Sequence, residues 1–206
     1  MPDSLLRQSP LAHLGLQAGA RSARGEAGIA MTELPFRGII DLRGDAGDES
    51  FLTAVEKVLG AAPPSEANRA VTRPEVTLLW LGPNQWWIVT PEVDEELADS
   101  LREALAGQHC AVTLVGDSRT SLRVEGPRAR DLLAKGCPLD LHASVFTAGH
   151  CAQSLMAKAD VLIHQTADDP AEGPSYELYV LRSFADYLWR WLADAAGEYG
   201  LAVLED

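Results

Sequence analysis

The sequence predicts an α+β protein made of two related β-α-β-β-α-β-like half-domains packed together and preceded by an extended N-terminal arm. Three observations predict it. A strand, a helix, two strands and a second helix occur once before Gly116 and again after it. The paired segments match in length, FRGIIDLRG and SFLTAVEKVLG in the first copy answering to TSLRVEGP and ARDLLAKG in the second. No flexible linker parts the copies, because AVTLVG over 111–116 runs straight into the second one. The expected boundaries are an arm over 1–33, a first half-domain over 34–116 and a second over 117–206, joined in one body with a shared interior.

The elements follow from local pattern. The first strand is FRGIIDLRG. Phe51, Ala54, Val55, Val58 and Leu59 then recur at i, i+3, i+4, i+7 and i+8, which predicts a helix over 50–59 with one buried stripe, ended by Gly60. Pro63, Pro64 and Pro74 bracket a polar connection, and Gly82, Pro83 and Asn84 turn a hairpin between two apolar strands over 76–90. Asp94, Glu95 and Glu96 open the next helix, where acids favour the positive end of its dipole, and Gly107 stops it. In the second copy CAQSLMAKADVLIHQ and SYELYVLRS read as the two strands. The final helix shows Phe184, Tyr187, Leu188, Trp191, Leu192 and Ala195 as one apolar stripe.

Composition excludes several classes of function. At 206 residues the chain can build a sizeable core without a metal or disulfide. A formal net charge of -13, with no Lys/Arg stripe to offset it, repels phosphate backbones and anionic lipid, so neither nucleic acid nor membrane is an expected partner. Cys110, Cys137 and Cys151 are odd in number and lack a C-x-x-C pair, the usage of reduced thiols in a cytoplasm. Residues 1–30 carry Arg7, Arg21 and Arg24 against Asp3 and Glu26, with Leu5, Leu6, Leu11, Leu14 and Leu16 around Pro10 and His13. They have no continuous apolar region or cleavage signal and read as an arm.

Three indoles need cover. Trp86 and Trp87 are neighbours on a strand and point to opposite faces, so one enters the core while the other lies under a helix, the other half or another protein. Trp189 stands about 120 to 130° from the centre of its helix's apolar stripe, where an indole is half exposed unless something covers it.

The search for chemistry returns little. There is no Gly-rich phosphate loop, G-x-G-x-x-G fingerprint, H-E-x-x-H helix or G-x-S-x-G elbow. Cys137, His142, His150, Cys151 and His164 lie close in sequence, but adjacent His150 and Cys151 diverge on a strand and the spacing lacks paired ligands, so no metal site is expected. Gly116, Asp117 and Ser118 resemble the start of a hydrolase block, yet Arg119 follows where an apolar residue belongs, and a turn is the better reading.

The run DSRTSLRVEGPRARDLLAKGCPLDL over 117–141 resembles a segment of the glycine-cleavage T-protein superfamily, with Val124, Gly126, Pro127 and Ala129 matching its strand, turn and helix framework. Within it the chain is similar to the family of gamma subunits of heterotetrameric sarcosine oxidases. The resemblance rests on SPLAHLGL in the arm, ELPFRG, LGPNQWW, KGCPLDLHASVF, the run SLMA and the closing helix R-S-F-A-D-Y-L-W. It covers nearly the whole chain. Iron–sulfur maturation relatives share Lys-Gly-Cys, but here Lys135, Gly136 and Cys137 run into Pro138, Leu139 and Asp140, so their cysteine chemistry is not carried over.

The resemblance implies a non-catalytic subunit of a bacterial cytoplasmic complex, assembled with alpha, beta and delta subunits. FAD, FMN, NAD and tetrahydrofolate would be held by those chains and none by this one. The complex oxidatively demethylates sarcosine to glycine, with hydrogen peroxide and 5,10-methylenetetrahydrofolate as further products. No residue is then expected in a catalytic, cofactor or metal role, and Leu11, His13, Leu14, Trp87 and Trp189 are the expected partner contacts. The alternative is a stand-alone folate-binding aminomethyltransferase-like protein, for which Asp117, Asp140 or Glu125 would supply the carboxylate.

Overall fold

The computed structural model describes residues 7–16 and 27–205. The first half runs β2 (Gly38–Arg43), α1 (Glu49–Leu59), β3 (Ala70–Arg73), β4 (Val76–Gly82), β5 (Gln85–Thr90), α2 (Glu95–Ala104) and β6 (Ala111–Leu114), with β1 (Ile29–Leu34) before it. The second runs β7 (Arg119–Glu125), α3 (Ala129–Ala134), β8 (Cys151–Met156), β9 (Ala159–Asp169), β10 (Gly173–Leu181), α4 (Arg182–Ala195) and β11 (Leu201–Val203). The helix ends are those the residues dictate. Asp48 accepts from the amides of Ser50 and Phe51 to open α1, Gly60 closes it at φ +67°, and Asp94 accepts from Leu97 to open α2.

The two sheets repeat one order. The first is β3-β4-β5-β2-β6; the second is β8-β9-β10-β7-β1-β11, the same sequence of strands with β1 inserted before the last. β1 pairs antiparallel with β7 and parallel with β11. Residues 29–34, with 29–33 expected in the arm and Leu34 at the start of the first half-domain, are therefore an interior strand of the second half's sheet. They are buried on both faces, so they lack the alternation that announces a half-buried strand. The parts of the arm over 1–6 and 17–26 lie outside the described residues.

Each half also has one more strand than expected. β3 is a four-residue edge strand with little burial, hidden in a polar connection. CAQSLMAKADVLIHQ is not one strand but the hairpin β8–β9, Met156 pairing with Ala159 around Ala157 and Lys158. That turn holds Ala157 at φ +53° without the Gly or Asn that usually marks it.

Period-two alternation then builds four layers, helices–sheet–sheet–helices. Ile40, Leu42, Leu78, Trp86 and Ile88 face α1 and α2. Leu122, Val124, Val161, Ile163, Tyr176, Leu178 and Val180 face α3 and α4. The intervening positions Ile39, Leu79, Trp87, Val89, Cys151, Leu162 and Tyr179 meet between the sheets.

Helix α4 buries a different arc from the expected stripe. Ala185, Leu188, Trp189 and Leu192 face the core, while Phe184 and Tyr187 are 40% and 37% exposed. Apolar residues cover roughly half of this helix's circumference at about 100° per residue, so periodicity alone does not choose the centre. The core of the second half chooses it, since Trp189 is buried there in one cluster with Ala185, Leu188 and Leu192.

Candidate functional site

Charged side chains are concentrated at one end of the layer between the sheets. Glu177 and Tyr179 alternate on β10 with the residues that face the helices, so both project toward the first half. In register, Glu177 lies opposite Arg123 of β7 on one side and His164 of β9 on the other. Its Oε1 accepts from Arg123 Nη2 at 3.1 Å and from Arg37 Nη2 at 3.3 Å, and its Oε2 accepts from the Tyr179 hydroxyl at 2.7 Å. Arg37 precedes β2, so this carboxylate links the two halves. Burial by itself raises the carboxyl's pKa, but Arg37, then the Tyr179 hydroxyl and Arg123, outweigh it and hold the group below its ordinary value.

The aromatic continuation of the layer is Tyr179 edge-on to Trp87, centroids 6.2 Å apart, with the Arg119 guanidinium 4.8 Å from the centroid of the same indole. Desolvation lowers the pKa of Arg119. A cleft opens here, walled by Arg119, Pro138, Leu155 and Leu181. At the other end a polar cleft lies over Arg37, Arg73, His164 and Glu177.

His164 is 3% exposed and burial pushes its pKa down from 6.5 to about 4, with Glu177 opposing the shift. A histidine depressed in the folded state contributes stability that is fully present above pH 6.5 and is lost as the pH falls from 6.5 toward 4. Glu177 acts in the same sense at lower pH, its contribution present above its ordinary pKa of 4.5 and lost as the pH falls through the folded value. Urea unfolding at pH 7.5 and 4.5 is expected to differ by about 2 to 3 kcal/mol from His164 alone. His164→Leu should remove that part of the slope; an unchanged slope in the variant would assign the pH dependence elsewhere.

The residues expected at a partner surface occupy unlike places. Trp86 is fully buried against α1, and its Nε1 donates to the Pro64 carbonyl at 2.9 Å. Trp87 is 6% exposed beneath the opposite sheet and Trp189 is 4% exposed in the second core, so the chain itself covers both indoles. Leu11 is fully buried in the same core, and Leu14 packs against it half buried. His13 is exposed, its Nε2 2.7 Å from Asp186 of α4. The arm over residues 7–16 is thus seated on this chain by apolar contact, by Ser9 donating to Glu33 and by Arg182 donating to the Gln8 carbonyl.

The remaining candidates do not converge. Asp117 and Glu125 stand at opposite ends of β7, roughly 20 Å apart. Asp140 lies on the exposed loop after α3, accepting from the His142 amide. Ser118 Oγ donates to the Val115 carbonyl within a 3₁₀ turn. Cys151 faces the inter-sheet layer, where burial raises its thiol pKa to about 12, and its Sγ donates to the Arg69 carbonyl; His142 bonds Ser144. Among the described residues no three His, Cys, Asp or Glu side chains gather as metal ligands.

Sequence reasoning missed the Glu177 cluster. Its only trace was a charge inside the otherwise apolar strand SYELYVL, facing the same way as Tyr179. It also missed the exposed face of α4, because Phe184 and Tyr187 fall on the same apolar stripe as Leu188 and Leu192.

The profile of the sarcosine oxidase, gamma subunit family matches residues 43–198. A relative in Corynebacterium sp. strain U-96, named sarcosine oxidase subunit gamma, is 29% identical over 198 residues, covering 96% of this chain and 93% of that one. Among solved structures, a chain of the heterotetrameric sarcosine oxidase from the same organism, in complex with pyrrole 2-carboxylate, superposes with a TM-score of 0.83 at 28% identity, over 96% of this chain and 98% of the other. The glycine cleavage system aminomethyltransferase T of Bartonella henselae shares the fold, with a TM-score of 0.66 at 18% identity over 97% of this chain and 59% of that one.

Proposed function

Since the chain belongs to the sarcosine oxidase gamma subunit family, we propose that it is a non-catalytic subunit that holds a heterotetrameric sarcosine oxidase together. Its partners are the alpha, beta and delta subunits, which carry FAD, FMN, NAD and tetrahydrofolate in a bacterial cytoplasm. The complex converts sarcosine to glycine with hydrogen peroxide and 5,10-methylenetetrahydrofolate. The single observation that carries this reading is the correspondence, end to end, with one chain of a solved oxidase of that kind. The geometry agrees with it: Glu177, the most buried carboxylate between the sheets, is engaged by Arg37, Arg123 and Tyr179, and so serves the join between the halves. Of the expected contacts, His13 and Leu14 stand at the surface of the seated arm, Leu11 and Trp189 lie in the core beneath it, and Trp87 lies apart from them between the sheets.

The tagged chain, recovered from its native cell extract, is expected to bring down larger flavin-bearing chains with sarcosine-dependent peroxide formation. A solitary, colourless chain that binds folate would overturn the proposal in favour of a stand-alone aminomethyltransferase-like protein.

A further inference from the structure

Three of the five large apolar side chains exposed among the described residues, Leu155, Phe184 and Tyr187, belong to one face of the second half. Phe184, Tyr187 and Trp191 follow at i, i+3 and i+7 along α4, and Tyr187 and Trp191 form one wall of an open groove whose other walls are Pro138 and Leu155. The groove has a built floor. A Cβ on Gly136 would stand 2.4 Å from Cη2 of Trp191, so the glycine is what allows the indole to lie against this backbone.

The charges of the groove run against those of the chain. The whole sequence carries 30 acidic and 17 basic residues, yet among the described residues the only charged side chains lining the groove are Lys135 and Lys158. Lys135 is ion-paired with Glu198, whereas Lys158, at the tip of the β8–β9 hairpin, makes no ion pair among the described residues. An acidic segment is repelled by most of this molecule's surface and accepted here, where apolar area and spare positive charge coincide.

The geometry points to this groove as the seat of an apolar segment flanked by acidic residues, supplied by a larger subunit of the oxidase complex. The inference rests on the subunit reading above and deepens it by naming the surface and the chemistry of its occupant. Tyr187 and Leu155 are the anchors, and Lys158 meets the acidic flank.

The test uses the full chain, tagged and recovered from native extract as wild type, Tyr187→Glu, Leu155→Glu and Lys158→Glu, with Leu114→Glu as control. Leu114 is 37% exposed on β6 of the other half, away from the groove. Thermal unfolding of each isolated chain checks that these surface changes leave it folded. Tyr187→Glu and Leu155→Glu are expected to lower the flavin-bearing chains recovered by about tenfold or more, the loss of an interface anchor. Lys158→Glu should lower recovery less, and Leu114→Glu should match wild type. Carbodiimide treatment of the wild-type complex should join Lys158 to an aspartate or glutamate of a larger chain.

If wild type recovers active flavin-bearing chains and both groove variants do so equally, the groove inference fails and the subunit reading stands. If wild type recovers none, the subunit reading fails and takes the inference with it. A carbodiimide product that joins Lys158 only to this chain or to a second copy of it would also overturn the assignment.

Discussion

Replacing Glu177 with alanine is expected to destabilise the fold by about 3 kcal/mol, measured by urea unfolding at neutral pH. The carboxylate is 6% exposed and neutralises two guanidinium groups, Arg37 at 3.3 Å and Arg123 at 3.1 Å, that converge on one oxygen. Without it two like charges face each other in the layer between the sheets. Breaking a buried ion pair from one side costs about 3 to 5 kcal/mol, because the partner charge stays desolvated. The low end applies here, since the Arg37 and Arg123 side chains keep 20% and 32% of their exposure and water screens part of the repulsion. The Tyr179 hydroxyl loses its acceptor as well. Glu177→Leu combined with Arg37→Met and Arg123→Met should recover most of the loss, since an apolar replacement removes the desolvated charges together. A Glu177→Ala variant within 1 kcal/mol of wild type would show that the cluster contributes little to joining the halves.

Trp86→Ala is expected to cost as much or more, about 3 to 5 kcal/mol, by opening a cavity in the first core. The indole is fully buried, lies 5.9 Å from Phe51 centroid to centroid, and satisfies the Pro64 carbonyl through Nε1. The alanine variant loses packing and leaves that acceptor unpaired, whereas Trp86→Phe keeps most of the volume and should cost about half as much. Equal losses for the two variants would place the effect in the hydrogen bond. Because Trp86 faces α1 and α2, away from the groove on the second half, neither variant is expected to alter recovery of partner chains once folded.

Much of the fold was legible in the residues. The helix over 50–59 followed from its apolar spacing and Gly60, the hairpin at 82–84 from its turn residues, and the doubling from matched segments on either side of Gly116. What was not legible has particular causes. β1 is apolar on both faces and carries no alternation; β3 is short and polar; and the turn at Ala157 and Lys158 lacks the residues that mark a turn. The candidate surface was legible as a surplus of aromatics, but its position was not. Strand alternation and helical spacing single out Trp87 and Trp189, which the chain buries itself, whereas Phe184 and Tyr187, on the apolar stripe, are the ones left at the surface.

The sequence by itself determined the class of most of its elements, the doubling of the plan and, through resemblance, the family, because these depend on period, turn chemistry and motif order along the chain. Only the tertiary structure decided which face of α4 is buried, where β1 inserts, and that Arg37, Arg123, His164 and Glu177 meet between the sheets. Those outcomes depend on contacts between residues as far apart in sequence as Arg37 and Glu177. They are selected by close packing and charge pairing across layers, to which local periodicity is blind.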